Sequence, residues 1–229
     1  MTDWFAGDVA ERYDKWTAGM PVEPVVDFLA PYAAGGALEL AIGTGRIAVP
    51  LAARGVRVAG IELSPDMTAK LLEKTAAITV AIGDMSTTRV EGTFSLAYLV
   101  FNSINNVTTQ EGQRGVFTNA AAHLAHDGCF VVEVGVPNRQ RLEVFDLSDT
   151  HVGVDELDFD TQRLVSHHFN RIDGEWQRRS IPFRAVYPAE LDLMARLAGL
   201  ELRERWADWD RSPFTAESTR HVSVWRKPG

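Results

Sequence analysis

Between residues 37 and 136 the chain repeats one pattern: a short continuous apolar run, then a stretch carrying helix start and stop signals. No other feature constrains the fold as strongly. Apolar runs without polar alternation belong to strands covered on both faces, and strands separated by helices pair in parallel. The runs are Ala37 to Ile42, Val56 to Ile61, Ile78 to Ile82, Phe94 to Phe101 and Cys129 to Val136. Arg46 to Ala53 reads as a helix stopped by Gly55. Its Pro50 falls in the first turn or just past it, where little intrahelical bonding is lost. Ser64 caps a helix that opens with Pro65-Asp66 and runs to about Lys74. Thr109 caps another through Ala125, with Val116, Ala120 and Leu124 on one face and Asp127-Gly128 as its stop.

The rest of the chain differs in character. Thr161 to Arg171 and Glu175 to Ala185 flank Asp173-Gly174, a hairpin turn signal, and predict an antiparallel insertion over residues 137–185. Pro188 opens a helix with Leu191, Met194, Ala195 and Ala198 on one stripe, closed by Gly199. Leu200 to Trp206 and His221 to Trp225 read as the last strands. A chain of 229 residues suits one large domain, or one domain plus an insertion.

Charge narrows the partners. The 23 basic and 31 acidic residues leave a net charge of −8, against the clustered positive charge that nucleic acid or an anionic membrane demands. No run approaches the roughly 18 apolar residues of a membrane span. The start of the chain does not read as a signal peptide. The one cysteine, Cys129, can form neither an internal disulfide nor a Cys-based zinc site, and the expected setting is the cytoplasm.

The chemistry is concentrated in Glu39-Leu40-Ala41-Ile42-Gly43-Thr44-Gly45-Arg46. Glycines between a strand and a helix let backbone approach a ligand closely. The third glycine of the dinucleotide fingerprint is missing, and Ala48 stands in its place. Glu39 is an acid inside an apolar strand, so it requires a partner. That partner is either a polar or cationic ligand over the turn, or a local backbone donor or Arg46. Glu62 closes the second strand, where an acid accepts from ribose hydroxyls or is simply solvated. After the third run, Asp84 can accept from an exocyclic amine and Met85 can lie against an adenine. The plain alternative is a turn Asp beside a core Met.

These residues, at the carboxyl ends of successive strands, together resemble the class I S-adenosylmethionine-dependent methyltransferases, especially small bacterial enzymes acting on small molecules. The resemblance covers residues 10–136 well and 186–229 more loosely. Glu39 to Gly45 is similar to that family's first motif, Glu62 to its ribose-binding acid, and Asp84-Met85 to its adenine-side pair. Phe101-Asn102 falls where the family lines the transfer cleft, and Tyr13-Asp14 resembles an N-terminal motif that closes over the cofactor. The resemblance implies a doubly wound, mostly parallel sheet of about seven strands, built from residues 1–136 and 186–229, with the insertion as a substrate lid. It implies S-adenosylmethionine as cofactor and S-adenosylhomocysteine as product. The cofactor would be held by Tyr13, Glu39, Gly43, Thr44, Gly45, Arg46 and Glu62, with Ala41, Leu63 and Met67 beside them, then Asp84, Met85, Phe101 and Asn102. One departure is Ser95, where many relatives carry Asp. NAD(P) would use the same turn and ribose acid but leaves Glu39, Asp84-Met85 and Tyr13 without a role.

The implied reaction moves a methyl group to N or O of a small-molecule acceptor. The alternative is a non-catalytic binder of the same cofactor. A base is needed only for some acceptors, and the candidates are His167 and His168, whose adjacent positions in a strand point to opposite faces. His151 lies nearby. His123 and His126 fall at a helix end, where the dipole favours a cation, and read as structural. No metal is expected: the histidines lack ligand spacing, and Asn102 to Asn106 offers amides instead of the acids magnesium requires. Tyr13 and Trp16 are either a packing face or a hinged cap. Trp206, Trp209 and Phe214 are either core or acceptor pocket. Arg139, Arg141 and Arg184 are available to an acidic acceptor. The chain is expected to act as a monomer or homodimer.

Overall fold

The computed structural model describes residues 3–137 and 140–229. Its main sheet holds β1 (Ala37–Leu40), β2 (Val58–Glu62), β3 (Thr79–Ile82), β4 (Phe94–Leu99), β5 (Leu124–Gly135), β10 (Glu201–Trp206) and β11 (Arg220–Arg226). The order is β10-β11-β5-β4-β1-β2-β3. Strands β1 to β5 pair in parallel, and β11 enters antiparallel between β5 and β10. The helices are α1 (Asp8–Thr17), α2 (Glu23–Leu29), α3 (Ala48–Ala53), α4 (Pro65–Lys74), α5 (Gln110–His123) and α6 (Pro188–Leu197). Two apolar cores form, one including Phe117, Phe130 and Trp225, the other including Phe28, Leu51 and Tyr98. Two cores are what helices on both faces of a sheet require.

Chain direction fixes the crevice. From β1 the chain winds outward through β2 to β3, then returns to β4 on the other side of β1. The order therefore reverses between β1 and β4, and ligands bind outside the carboxyl ends of strands at such a point.

Several boundaries depart from the sequence reading. The first strand stops at Leu40 because Ala41 turns left-handed (φ 56°). The following helix starts at Ala48 instead of Arg46, since Gly43 (φ 58°) and Gly45 (φ 81°) keep the loop irregular. That start places Pro50 within the first turn. Helix α5 ends at His123, two residues before Ala125. Strand β3 lies at the sheet edge and its side chains are partly or fully exposed, so it is not buried on both faces.

The insertion is larger than the predicted hairpin. Alongside β8 (Arg163–Ile172) and β9 (Glu175–Arg184) it holds β6 (Leu142–Leu147) and β7 (His151–Leu157), in an antiparallel sheet of order β6-β7-β8-β9. Glu143, Asp146, Asp155 and Glu156 break the apolar alternation in the two unpredicted strands. At its root Arg184 is buried and bonds Glu190 (2.7 Å), Gln113 (2.5 Å) and Gln162 (2.9 Å). Arg184 is thus a structural tie and is not free for an acidic acceptor. Arg141 is exposed, and Arg139 lies outside the described residues.

Candidate active site

The crevice between β1 and β4 is lined by carboxylates. Glu39 is paired in register with Tyr98 of β4, and the tyrosine hydroxyl donates to its Oε2 at 2.8 Å. Glu39 is fully enclosed. Burial raises its pKa to about 8, only partly offset by the Tyr98 bond and by Arg46. Of the partners expected for Glu39, the decisive one is a residue the sequence did not suggest. Register across strands, invisible in a linear chain, brings Tyr98 there.

Glu62 ends β2 and turns back onto the glycine loop. Gly43 N donates to its Oε2 (2.7 Å) and Ser64 N to its Oε1 (2.8 Å). It is buried, so the solvated alternative does not hold. Each oxygen retains a lone pair for a further donor. Gly43 needs its left-handed φ here, and a Cβ on it would meet Met67 Cε at 3.3 Å. Ser64 caps α4 as read, accepting from Met67 N. Leu63, half-buried, links the carboxylate to that cap.

Thr44 and helix α1 are clipped together. Thr44 Oγ1 donates to Asp14 Oδ1 (2.5 Å), while Lys74 bonds both Asp14 (2.5 Å) and Thr44 O (2.9 Å). Tyr13 directly precedes Asp14 of this clip. Burial pushes its hydroxyl to about 12, with Arg46, Glu39 and Glu62 all within electrostatic reach. Trp16 is 56% exposed, so Tyr13 and Trp16 do not form a shared packing face.

At β3 the Asp84 side chain folds into its own turn, accepting from Ser86 N (2.8 Å) and Ser86 Oγ (2.6 Å) through Oδ1. Met85 is buried in the core, the plain alternative for its side chain. Past β4, Phe101 and Asn102 are both left-handed (φ 58° and 57°). β5 holds both: Glu133 Oε2 accepts from Phe101 N (2.6 Å), Glu133 O accepts from Asn102 N (3.3 Å), and Asn102 Oδ1 accepts from Gly135 N (2.6 Å). Phe101 lies 5.5 Å from the Arg46 guanidinium. Glu133 is an acid inside an apolar strand, the same signal that Glu39 gives.

The remaining candidates separate. His123 is buried, with Nδ1 on Asn119 O (2.8 Å) and Nε2 accepting from Val90 N (3.0 Å). Both ring nitrogens are thus taken up by backbone groups, which makes the ring a structural tie. Trp209 packs edge-on against Phe28 at 5.3 Å, and Trp206 lies against the same core, so both are packing residues. Phe214 meets His221 edge-on at 5.7 Å. Among the described residues no three His, Cys, Asp or Glu side chains gather as a metal site would need.

Comparison with known proteins fits this arrangement. Residues 37–128 match a family model described as a methyltransferase domain. The CcbJ methyltransferase from Streptomyces caelestis is 36% identical, with 96% of each chain covered and a TM-score of 0.86. The chain belongs to the class I S-adenosylmethionine-dependent methyltransferases. Fold likeness extends further within that family. An S-adenosylmethionine-dependent methyltransferase from Clostridium acetobutylicum is 18% identical over 96% of this chain and 98% of its own, with a TM-score of 0.78. CalS10 from Micromonospora echinaspora, an amino pentose methyltransferase solved with S-adenosylmethionine, is 20% identical over 99% and 100%, with a TM-score of 0.70. The methyltransferase is therefore an enzyme whose methyl donor is S-adenosylmethionine. No helix among its described residues is long and apolar enough to cross a membrane.

Proposed function

We propose that this methyltransferase transfers a methyl group to N or O of a small-molecule acceptor bound between the main sheet and the antiparallel insertion. The observation that carries the reading is the row of carboxylates Glu39, Glu62 and Asp84 along the carboxyl ends of β1, β2 and β3. S-adenosylmethionine presents donors in a matching series: an ammonium, two ribose hydroxyls and an exocyclic amine. The residues present thus suit the group in number and in chemistry. Glu39 takes the ammonium end, Glu62 the ribose and Asp84 the adenine amine. Met85 contributes backbone, since its side chain is committed to the core. Ala41, Gly43, Thr44, Gly45, Leu63 and Met67 shape the wall, and Phe101 and Asn102 border the transfer side.

When bound, S-adenosylmethionine supplies an electrophilic methyl on a positively charged sulfur. The protein's part is to hold a nucleophile in line with it and to keep water out, and positioning of this kind is worth ~7–11 kcal/mol of barrier. Helix α1 performs the exclusion by laying Tyr13 over the loop. Residues 1–136 with 186–229 form the cofactor-binding part, and residues 137–185 form the lid. The lid touches the N-terminal segment, where Arg179 donates to Trp4 O. An acceptor of modest size suits a site enclosed from two sides, as does the amino pentose activity named for CalS10. The net charge of −8 favours an amine or hydroxyl compound over nucleic acid. The working form is a monomer or homodimer in the cytoplasm.

The test is a panel of small amines, amino sugars and phenols incubated with S-adenosylmethionine, with S-adenosylhomocysteine and methylated product read by mass spectrometry. Product from one class above the no-acceptor control is the expected result. Tight binding of both cofactor forms with no product from any class favours the non-catalytic binder.

A further inference from the structure

The insertion sheet has one face toward the cleft and one away. Cross-strand partners share a face, so the registers Gly153↔His168↔Arg179 and Asp155↔Ser166↔Ile181 define one side. On that side Ser166 and Ile181 are buried, and Arg179 reaches the N-terminal segment whose Phe5 meets Tyr13 edge-on at 6.3 Å. His167 is on the other side with Ser180 (2.8 Å) and Glu156 (3.5 Å). Of the two adjacent histidines, His168 is the one on the cleft side.

His168 is not alone. Its Nδ1 lies 3.1 Å from His151 Nε2, and His151 Nδ1 lies 2.5 Å from Asp146 Oδ2. On its other nitrogen, Nε2 is 3.3 Å from Ser166 Oγ. Three strands thus build one continuous line: Ser166, His168, His151, Asp146. The inner end is buried, while the Asp146 side chain is 49% exposed. Phe145 packs on both rings, with centroids 5.5 Å from His168 and 6.3 Å from His151. Beside the inner end, Asp155 Oδ1 is buried without a partner among the described residues.

The geometry points to a proton relay: His168 as the base for the acceptor, with Ser166 at its inner end and His151 and Asp146 as positioning residues that pass the proton to solvent. This rests on the methyltransferase reading of the site. The nucleophile forms its bond to the methyl carbon as the carbon–sulfur bond breaks and its electron pair stays on sulfur. The proton leaves the nucleophile for His168 Nε2, directly or through Ser166 Oγ. The Nδ1 proton of His168 moves to His151 Nε2, and that of His151 moves to Asp146 and on to water. An anionic Asp146 orders every donor in this direction, as a carboxylate behind an imidazole fixes its tautomer. Burial first, then the facing charges of His151 and Arg179 and the His167 ring on its own strand, hold His168 below the ordinary imidazole value. The base is therefore neutral at neutral pH. The other groups around the line are Asp146 from β6 and Asp155 from β7.

The test is nitrogen NMR of the full chain with labelled histidine, titrated with pH in the presence of saturating S-adenosylmethionine and, separately, S-adenosylhomocysteine. The relay predicts that His151 and His168 titrate as a coupled pair. A protonated pair opposes a sulfonium, so the midpoint is lower by roughly half a pH unit or more in the sulfonium complex. Asp146→Asn changes the tautomer and midpoint of both rings while leaving affinity for either ligand unchanged. Equal midpoints in the two complexes, or a His168 unaffected by Asp146→Asn, overturn the relay. Failure of both ligands to bind would instead overturn the cofactor assignment. With an acceptor from the panel, His168→Gln lowers kcat roughly 10²–10⁴-fold at unchanged KM. Full kcat in that variant also overturns the proposal.

Discussion

At the scale of single residues, buried carboxylates dominate the chemistry of the crevice. Glu39 has its pKa raised to about 8 from 4.5, chiefly by burial. Its folded value lies above its unfolded one, so its contribution to stability is complete below about pH 4.5 and is lost as pH rises toward 8. A ligand ammonium beside it reverses that cost. Glu39→Gln is therefore expected to flatten the pH dependence of the ligand-free protein's stability over this range. The same change should weaken S-adenosylmethionine roughly tenfold to a hundredfold, the worth of a hydrogen bond to a charged group. Denaturation at several pH values and calorimetry read the two effects. Glu62→Ala removes an acceptor from the Gly43 and Ser64 amides as well as from ribose. Its expected cost to cofactor affinity is about 1–3 kcal/mol; unchanged affinity would remove Glu62 from the ribose. Both acids were legible because each interrupts or ends an apolar run. Tyr98 was not, because only strand register brings it to Glu39.

At the scale of elements, helix α1 and the residue before it are held to the glycine loop and to α4 by polar clips. Asp14 bonds Thr44 and Lys74, Gly7 N donates to Asp66 (2.7 Å), and Glu11 pairs with Lys70 (2.9 Å). Such exposed links contribute little to global stability. Deleting residues 1–16 should accordingly leave one cooperative unfolding transition while weakening cofactor binding about tenfold or more, for loss of the cap over a desolvated site. Loss of folding would make α1 a core element. The strands of the main sheet could be read from their unbroken apolar runs. Strands β6 and β7 could not, since acids interrupt both and the turn at Ser148-Asp149-Thr150 carries no glycine. Their pairing is set by partners in β8, not by their own pattern. The proposed base relay runs from β8 across both of these strands, so the sequence offered His167 and His168 as equals and only the sheet register separates them.

At the scale of the whole molecule, the antiparallel edge of the main sheet contributes to the response to acid. His221, buried on β11 with Nδ1 2.7 Å from Ser223 Oγ, has its pKa pulled down to about 4, first by burial and then by Arg205. Its folded value lies below the unfolded 6.5, so the stability it contributes is present above about pH 6.5 and is lost as pH falls toward 4. The expected loss is about 3 kcal/mol, and a His221→Gln variant should lack that part of the acid slope in chemical denaturation. A slope identical in both proteins would place acid sensitivity elsewhere. The overall architecture was accessible from sequence because parallel strands covered on both faces leave a plain apolar record. The insertion's contacts with the cleft depend on long-range packing, and no local pattern encodes them.

The most direct measurement is calorimetric titration of the protein with S-adenosylmethionine, S-adenosylhomocysteine and NAD in separate experiments. Saturable one-to-one binding of both adenosyl-sulfur ligands, weakened together by about 1–3 kcal/mol in Glu62→Ala, with no heat from NAD, is the predicted result. Binding of NAD alone, or of no ligand by a folded protein, would contradict the assignment of the carboxylate row.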